Sequence, residues 1–120
     1  MLIDTKAKKL YTVNIIFING GNYMSYESKY KRKDIDELFD AVLTLKDYED
    51  CYRFFEDICT VNEIHAIAQR LQVAKLLSQG RTYNEIEQET KASTATISRI
   101  NKCLVYGADG YKRVLERLGE

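Results

Sequence analysis

Two threonines that each stand three residues before a glutamate constrain this chain more than any other feature. Thr60 precedes Glu63, and Thr82 precedes Glu85. At this spacing the hydroxyl and the carboxylate satisfy free backbone N–H groups at a helix start reciprocally. Gly80 lies just before the second threonine, where a helix commonly ends. The sequence therefore predicts a long helix over 61–79, a stop at Gly80, and a second, shorter helix.

A third helix start follows closely. After a turn at Lys91–Ala92, Ser93 is a good N-cap residue, and Ile97, Ile100 and Leu104 then recur at the spacing of one helix face. Two short helices joined by a tight turn and preceded by a long helix are typical of a helix-turn-helix. We therefore predict an all-α fold.

The opposite face of this third helix is small, polar and basic. If the aliphatic residues point inward, helical periodicity turns Ala95, Ser98, Arg99 and Lys102 outward, with Thr94 exposed at the helix start. Short side chains allow a helix to approach base edges in the major groove of DNA, and basic side chains can bind guanine or phosphate. The alternative is an ordinary solvated helix face.

At these residues the chain resembles the Trp repressor superfamily, and within it the YerC/YecD-type branch. The resemblance covers about 34–118 and is carried by three segments: Glu63–Leu71, Leu76–Gly80 and Ala92–Arg99. It implies an all-helical, intertwined homodimer whose paired helices bind two operator half-sites on double-stranded DNA, as a transcriptional repressor. Two-fold symmetry of the protein would then be matched in the DNA.

The resemblance also implies which residues would bind DNA. The base-reading positions of the family correspond to Asn84, Glu87, Thr94, Ala95 and Ser98. The cations expected to hold phosphates or bases are Arg81, Arg99 and Lys102. Lys91 stands where many relatives have glycine, so a left-handed backbone at this turn would cost on the order of 1 kcal/mol.

Two further positions concern an effector. In tryptophan-sensing members of the family two arginines flank the bound indole, and Arg70 and Arg99 fall at those places. The position after the second arginine is glycine in those members, whereas this chain has Ile100. Because the isoleucine would fill the volume of the ligand, we expect no response to L-tryptophan.

Segments before the helix-turn-helix complete the organisation. We expect an N-terminal extension over 1–33, with a strand-like stretch at 11–18 and a basic arm at 29–33, and a helical domain over 34–118. A helix from Asp34 would carry Ile35, Leu38, Phe39, Val42 and Leu45 on one stripe. Further helices are expected from about Lys46 and over 111–118. In the long helix the inward face is expected to contain Ile64, Ile67, Ala68, Leu71, Ala74 and Leu77.

Composition excludes several classes of function. The three cysteines lack metal-ligand spacing, and no nucleophile–base motif or phosphate-binding glycine loop is present, so we expect neither an enzyme nor a metal or other cofactor. Three cysteines without a secretion signal favour buried thiols in a reducing cytoplasm, and no apolar run is long enough to cross a membrane. Segregated charge and many aromatic residues leave one alternative open, a helical protein–protein interaction module.

Overall fold

All regular structure is helical in residues 26–120, the part of the chain that the computed structural model describes. The helices are α1 (Lys33–Val42), α2 (Tyr48–Ile58), α3 (Val61–Ser78), α4 (Tyr83–Thr90), α5 (Thr94–Tyr106) and α6 (Gly110–Arg117). They belong to two units that divide after Thr44: the first contains α1, and the second, Leu45–Glu120, contains α2 to α6. The predicted strand at 11–18 lies outside the described residues.

The predicted helix starts are confirmed. Thr60 and Thr82 each accept a hydrogen bond from the backbone N–H of the glutamate three residues on, and each glutamate side chain accepts from the threonine N–H. Ser93 accepts from the Thr96 N–H at the start of α5. Each interaction satisfies a backbone donor that has no partner within its helix. The three starts therefore fix where α3, α4 and α5 begin.

The end of α3 is equally well defined. Gly80 has φ +78°, its N–H donates to the Leu77 carbonyl, and the Arg81 N–H donates to the Leu76 carbonyl, both at 3.1 Å. This pair of bonds is the Schellman arrangement, in which a left-handed residue turns the chain out of the helix. The chain is thereby directed into α4, so the predicted stop at Gly80 is confirmed.

The core of the second unit lies where α3, α4, α5 and α6 meet. Its buried residues are Val73, Ala74, Leu76, Ile86, Ala92, Ile97, Ile100 and Leu115, with Leu71, Leu77, Leu104 and Tyr111 packed against them. Val73, Ala74, Ile86 and Ile97 have no exposed surface. The aliphatic face predicted for α5 therefore does point inward.

Some predictions for individual residues need correction. Leu45 lies beyond the end of α1, and neither α1 nor α2 contains a buried residue. Ile67 and Ala68 of α3, expected to point inward, are exposed because the core of this unit packs on the second half of α3. The thiols of Cys51 and Cys103 are exposed and that of Cys59 is half-buried, so the expectation of buried thiols is wrong for the single chain.

Candidate nucleic-acid interface

One side of α5 is exposed and polar while its other side is sealed in the core. Thr94, Ala95, Ser98, Arg99 and Lys102 are all exposed, and we call these five residues the α5 polar face. The positions between them include Ile97 and Ile100, which are 0 % and 3 % exposed. Burying the aliphatic residues fixes the rotation of α5 about its own axis. The α5 polar face is consequently held in solvent by the packing of the helix.

The N-terminal turn of α5 leaves specific hydroxyl groups free. Ser93 Oγ accepts from the Thr96 N–H at 3.2 Å and lies 3.0 Å from Thr96 Oγ1, so these two hydroxyls form a hydrogen bond with each other. Among residues 26–120, no side-chain hydrogen bond forms at Thr94 or Ser98. A hydroxyl both donates and accepts, so these two can contact either kind of group on a base edge.

A side chain of α3 anchors the turn between α4 and α5. Gln69 Nε2 donates to the Thr90 carbonyl at 3.0 Å, Thr90 Oγ1 donates to the Ile86 carbonyl at 2.7 Å, and the Ala92 N–H donates to Thr90 Oγ1 at 3.2 Å. Ala92 itself is buried. The turn is therefore fixed to the long helix as well as to α4. Sequence reasoning missed Gln69, because its partner lies 21 residues away and no local motif marks the pair.

Cations around α5 differ in whether they are already paired. Arg99, Lys102 and Lys91 are exposed and form no ion pair within the described part of the chain. Arg81, in contrast, lies 3.1 Å from Glu85 and 3.3 Å from Glu89 through its guanidinium nitrogens. Arg81 would have to release these carboxylates to bind a phosphate, whereas the three unpaired cations would not.

The outer surface of α4 is acidic. Glu85, Glu87 and Glu89 are exposed there, beside Asn84. Hydrogen bonds from the Thr82 backbone N–H, and then from Arg81, lower the pKa of Glu85 below its usual 4.5, so this carboxylate is charged at neutral pH. Glu87 forms no ion pair within 26–120. A phosphate approaching α4 would therefore meet negative charge unless neighbouring cations offset it.

The basic arm is largely neutralised by acids in the first turns of α1. Lys31 pairs with Asp36 at 2.9 Å, Arg32 with Asp34 at 2.6 Å, and Lys33 lies 3.9 Å from Glu37. All three ion pairs are exposed to solvent, and each therefore contributes little to stability. The hydrogen bond to Arg32 lowers the pKa of Asp34. The arm presents paired charges, not a continuous run of free cations.

The three residues considered for an effector site, Arg70, Arg99 and Ile100, differ in burial. Ile100 is buried in the core, whereas Arg70 and Arg99 are exposed. Near Arg70, burial raises the pKa of the Tyr111 phenol, and the charge of Cys103 raises it further. The positive charge of Arg70 lowers the same pKa. A cleft of about 540 Å³ does lie between α3 and α4, but its lining contains neither arginine. It is lined by His65, Ala66, Gln69, Gln72, Glu89 and Thr90.

None of the helices within residues 26–120 is long and apolar enough to cross a membrane. Over the same residues, no three His, Cys, Asp or Glu side chains come together in a way that could hold a metal ion.

The structure contains a helix-turn-helix packed against a long helix, with one polar and basic face in solvent. These features define the class of this protein. The chain belongs to the Trp repressor protein family, whose family model matches residues 33–119. This confirms the family and the all-helical fold expected from the sequence. This chain is 56% identical over 92 residues to YerC of Bacillus subtilis, a protein described as uncharacterized. The matched residues cover 77% of this chain and 88% of YerC.

Two solved structures share the fold. A crystal structure of a candidate Trp repressor from Staphylococcus aureus is 56% identical, with a TM-score of 0.73 over 76% of this chain and 91% of that chain. A TrpR-like protein from Eubacterium eligens is 55% identical, with a TM-score of 0.74 over 78% of this chain and 96% of that chain. At this identity, the helical arrangement of the family extends to this chain.

Proposed function

We propose that this protein is a sequence-specific DNA-binding transcriptional regulator, a repressor that acts as a homodimer on a two-fold operator. Membership of the Trp repressor family supports a DNA-binding regulator in general. The observation that carries the proposal further is the α5 polar face, which is kept in solvent by burial of Ile97 and Ile100. Its place of action would be the cytoplasm.

Each residue of the α5 polar face has a proposed role. Thr94, Ala95 and Ser98 lie in the first turns of α5 and are short enough to let the helix backbone approach base edges in the major groove. Ala95 offers a methyl group that suits the thymine methyl, and the two hydroxyls can contact any base. Arg99 and Lys102 lie one turn further along, where an unpaired cation can bind guanine or phosphate.

Residues outside α5 have secondary roles in the proposal. Asn84 is exposed at the start of α4 and can donate to and accept from a base or a phosphate. Arg81 would contribute to phosphate binding only after exchanging Glu85 and Glu89 for the DNA backbone. We therefore expect Arg81→Ala to weaken binding less than Arg99→Ala.

Uncovered apolar side chains support the homodimer. In the first unit Phe39 is 56 % and Leu43 is 83 % exposed, and in the second Ile58, Val61 and Ile67 are all at least half exposed. Large apolar side chains in such numbers are typical of a surface that is buried against another chain. A second copy of this chain is the occupant that the family implies.

Oligomeric state is directly measurable. Size-exclusion chromatography with light scattering at micromolar concentration should give twice the 13.9 kDa of one chain. Ile67→Glu should shift the protein toward the monomer, because a charge cannot be buried in an apolar interface without a partner. Asn62→Glu adds the same charge at an exposed polar position of α3 and serves as the control. A wild-type protein that elutes as a monomer would contradict the dimer.

We further propose that L-tryptophan is not the effector. Ile100 is 3 % exposed, so hydrocarbon occupies the volume that a glycine would leave open. Arg70 and Arg99 are both exposed and could still hold an anionic metabolite. Isothermal titration with L-tryptophan should give no heat of binding, and stoichiometric uptake would contradict this proposal.

A comparison of arginine variants tests the DNA-binding function. On an operator duplex obtained by in vitro selection, Arg99→Ala should weaken binding by about 1–3 kcal/mol in a fluorescence anisotropy titration. Arg117→Ala removes the same side chain from the exposed end of α6 and serves as the control. Unchanged affinity of the Arg99→Ala protein would remove Arg99 from this role.

The competing function is a helical module that binds another protein. If a second copy of this chain does not cover the exposed apolar residues of α1 and α2, those residues would favour the protein-binding function. Salt distinguishes the two functions, since DNA affinity falls steeply with ionic strength when several phosphates are contacted, while an apolar protein interface changes little.

A further inference from the structure

Lys91 has a backbone conformation that a lysine rarely adopts. It is the residue that ends α4, with φ 63° and ψ 12°, in the left-handed region. Glycine is the usual residue in this region because it has no Cβ to collide with the following carbonyl group. Within the described residues, Asp109 is the other non-glycine residue in this conformation, with φ 62° and ψ 14°. Lys91 is therefore strained in a way that glycine would relieve.

The surrounding turn prevents Lys91 from relaxing. On one side the Thr90 carbonyl accepts from Gln69 Nε2, and on the other the Ala92 N–H donates to Thr90 Oγ1. The Lys91 N–H itself donates to the Glu87 carbonyl at 2.9 Å. Both neighbours are held by hydrogen bonds and Ala92 is buried, so the strain at Lys91 is maintained by the fold.

No intramolecular contact explains a lysine at this position. Its side chain is exposed and forms no ion pair within 26–120, although Glu87 lies four residues earlier. Glu87 and Lys91 would be neighbours on a continuous helix face, but the left-handed backbone takes Lys91 out of the helix. Its ammonium group is thus available to a partner outside the chain.

We propose that Lys91 is a phosphate-binding residue of the DNA interface, placed by the strained turn to contact the backbone beside the bases that α5 reads. This inference rests on the proposed DNA-binding function. Lys91 stands three residues before Thr94, the first residue of α5 and of the α5 polar face. It joins Arg99 and Lys102 as a cation with no internal partner, at the end of α5 opposite to Lys102.

The negative charge of α4 also favours a basic residue at position 91. Arg81 pairs with both Glu85 and Glu89 but offsets only one of their two charges, and Glu87 is the acid of that helix without an ion pair among the described residues. An uncompensated carboxylate beside the DNA backbone repels phosphate. A cation four residues later offsets that charge where α4 meets α5. Glycine at this position would give a more stable turn but leave the acid uncompensated.

The variant Lys91→Gly separates these two effects because they have opposite signs. Relief of the left-handed backbone should raise the melting temperature by about 3 °C. Loss of one phosphate contact should weaken DNA binding about fivefold per protomer at 0.15 M salt, since about 0.9 counterion is released per contact. The slope of log affinity against log salt should also become shallower by about 1.8 for a dimer.

Two matched variants complete the experiment. Asp109→Gly relieves the same backbone conformation in the loop before α6, and it should raise the melting temperature without lowering DNA affinity. Lys91→Arg keeps the cation and the strained backbone, and it should retain affinity and salt slope. The proposal is overturned if Lys91→Gly binds the selected operator with wild-type affinity and slope. If the wild-type protein binds no duplex at any salt concentration, the DNA-binding function fails together with it.

Discussion

Replacing Ile97 by alanine tests whether α5 is held in place by its buried face. Ile97 has no exposed surface and lies in the core among residues of α3 and α4. The substitution removes three carbon atoms, each worth about 0.8 kcal/mol of burial, or about 2.4 kcal/mol in all. A residual cavity adds to this loss, as in other isoleucine or leucine to alanine changes in cores. We expect the free energy of unfolding to fall by about 3–4 kcal/mol.

Thermal and chemical denaturation give the readout. A loss of this size should lower the melting temperature by about 10–20 °C for a domain of this length. Both proteins must be compared at one concentration, because dimerisation links stability to concentration. Val105→Ala on the same helix is the matched control, since Val105 is 56 % exposed and its truncation should change stability little. Equal losses in the two variants would refute the assigned orientation of α5.

Two further predictions concern the helix ends. Glu85→Gln should destabilise the protein at neutral pH, and its effect should diminish as the pH falls below about 4.5. Hydrogen bonds from Thr82 and Arg81 lower the pKa of Glu85 in the folded state, so their stabilisation is present only while the carboxylate is charged. Urea denaturation at several pH values checks this, and a difference that is constant from neutral to acid pH would contradict it. Gly107→Ala should lower the melting temperature more than Gly110→Ala, because an added Cβ at Gly107 collides with the backbone of the preceding turn, whereas at Gly110 it meets open space. Equal melting temperatures for the two variants would show that the chain between α5 and α6 absorbs the collision freely.

Local signals in the sequence predicted much of the helix-turn-helix. Thr60, Thr82 and Ser93 cap helices through residues three positions away, so their hydrogen bonds depend on sequence neighbours alone. Gly80 and Lys91 turn the chain through backbone geometry that the residues around them enforce. The buried face of α5 followed from the helical spacing of its aliphatic residues.

Contacts between distant residues were beyond such signals. The hydrogen bond from Gln69 to Thr90 joins α3 to the turn, and the second ion pair of Arg81 reaches Glu89 eight residues away. Neither has a characteristic spacing. For Ile67, helical periodicity identified an apolar face but could not tell whether this chain or another covers it. The roles of the α5 polar face in binding DNA also depend on a partner molecule, so they stand as proposals.

The proposed function requires two copies of α5, each with its polar face in solvent, to read one DNA duplex together. Selection of bound fragments from a random double-stranded library by the wild-type protein measures this. We expect enrichment of a two-fold sequence whose half-sites are separated by about one helical turn, roughly 10 base pairs, or a multiple of it. The Arg99→Ala protein should fail to enrich that sequence. Recovery of unenriched DNA by the wild-type protein, or enrichment of a single half-site without symmetry, would contradict the proposed function.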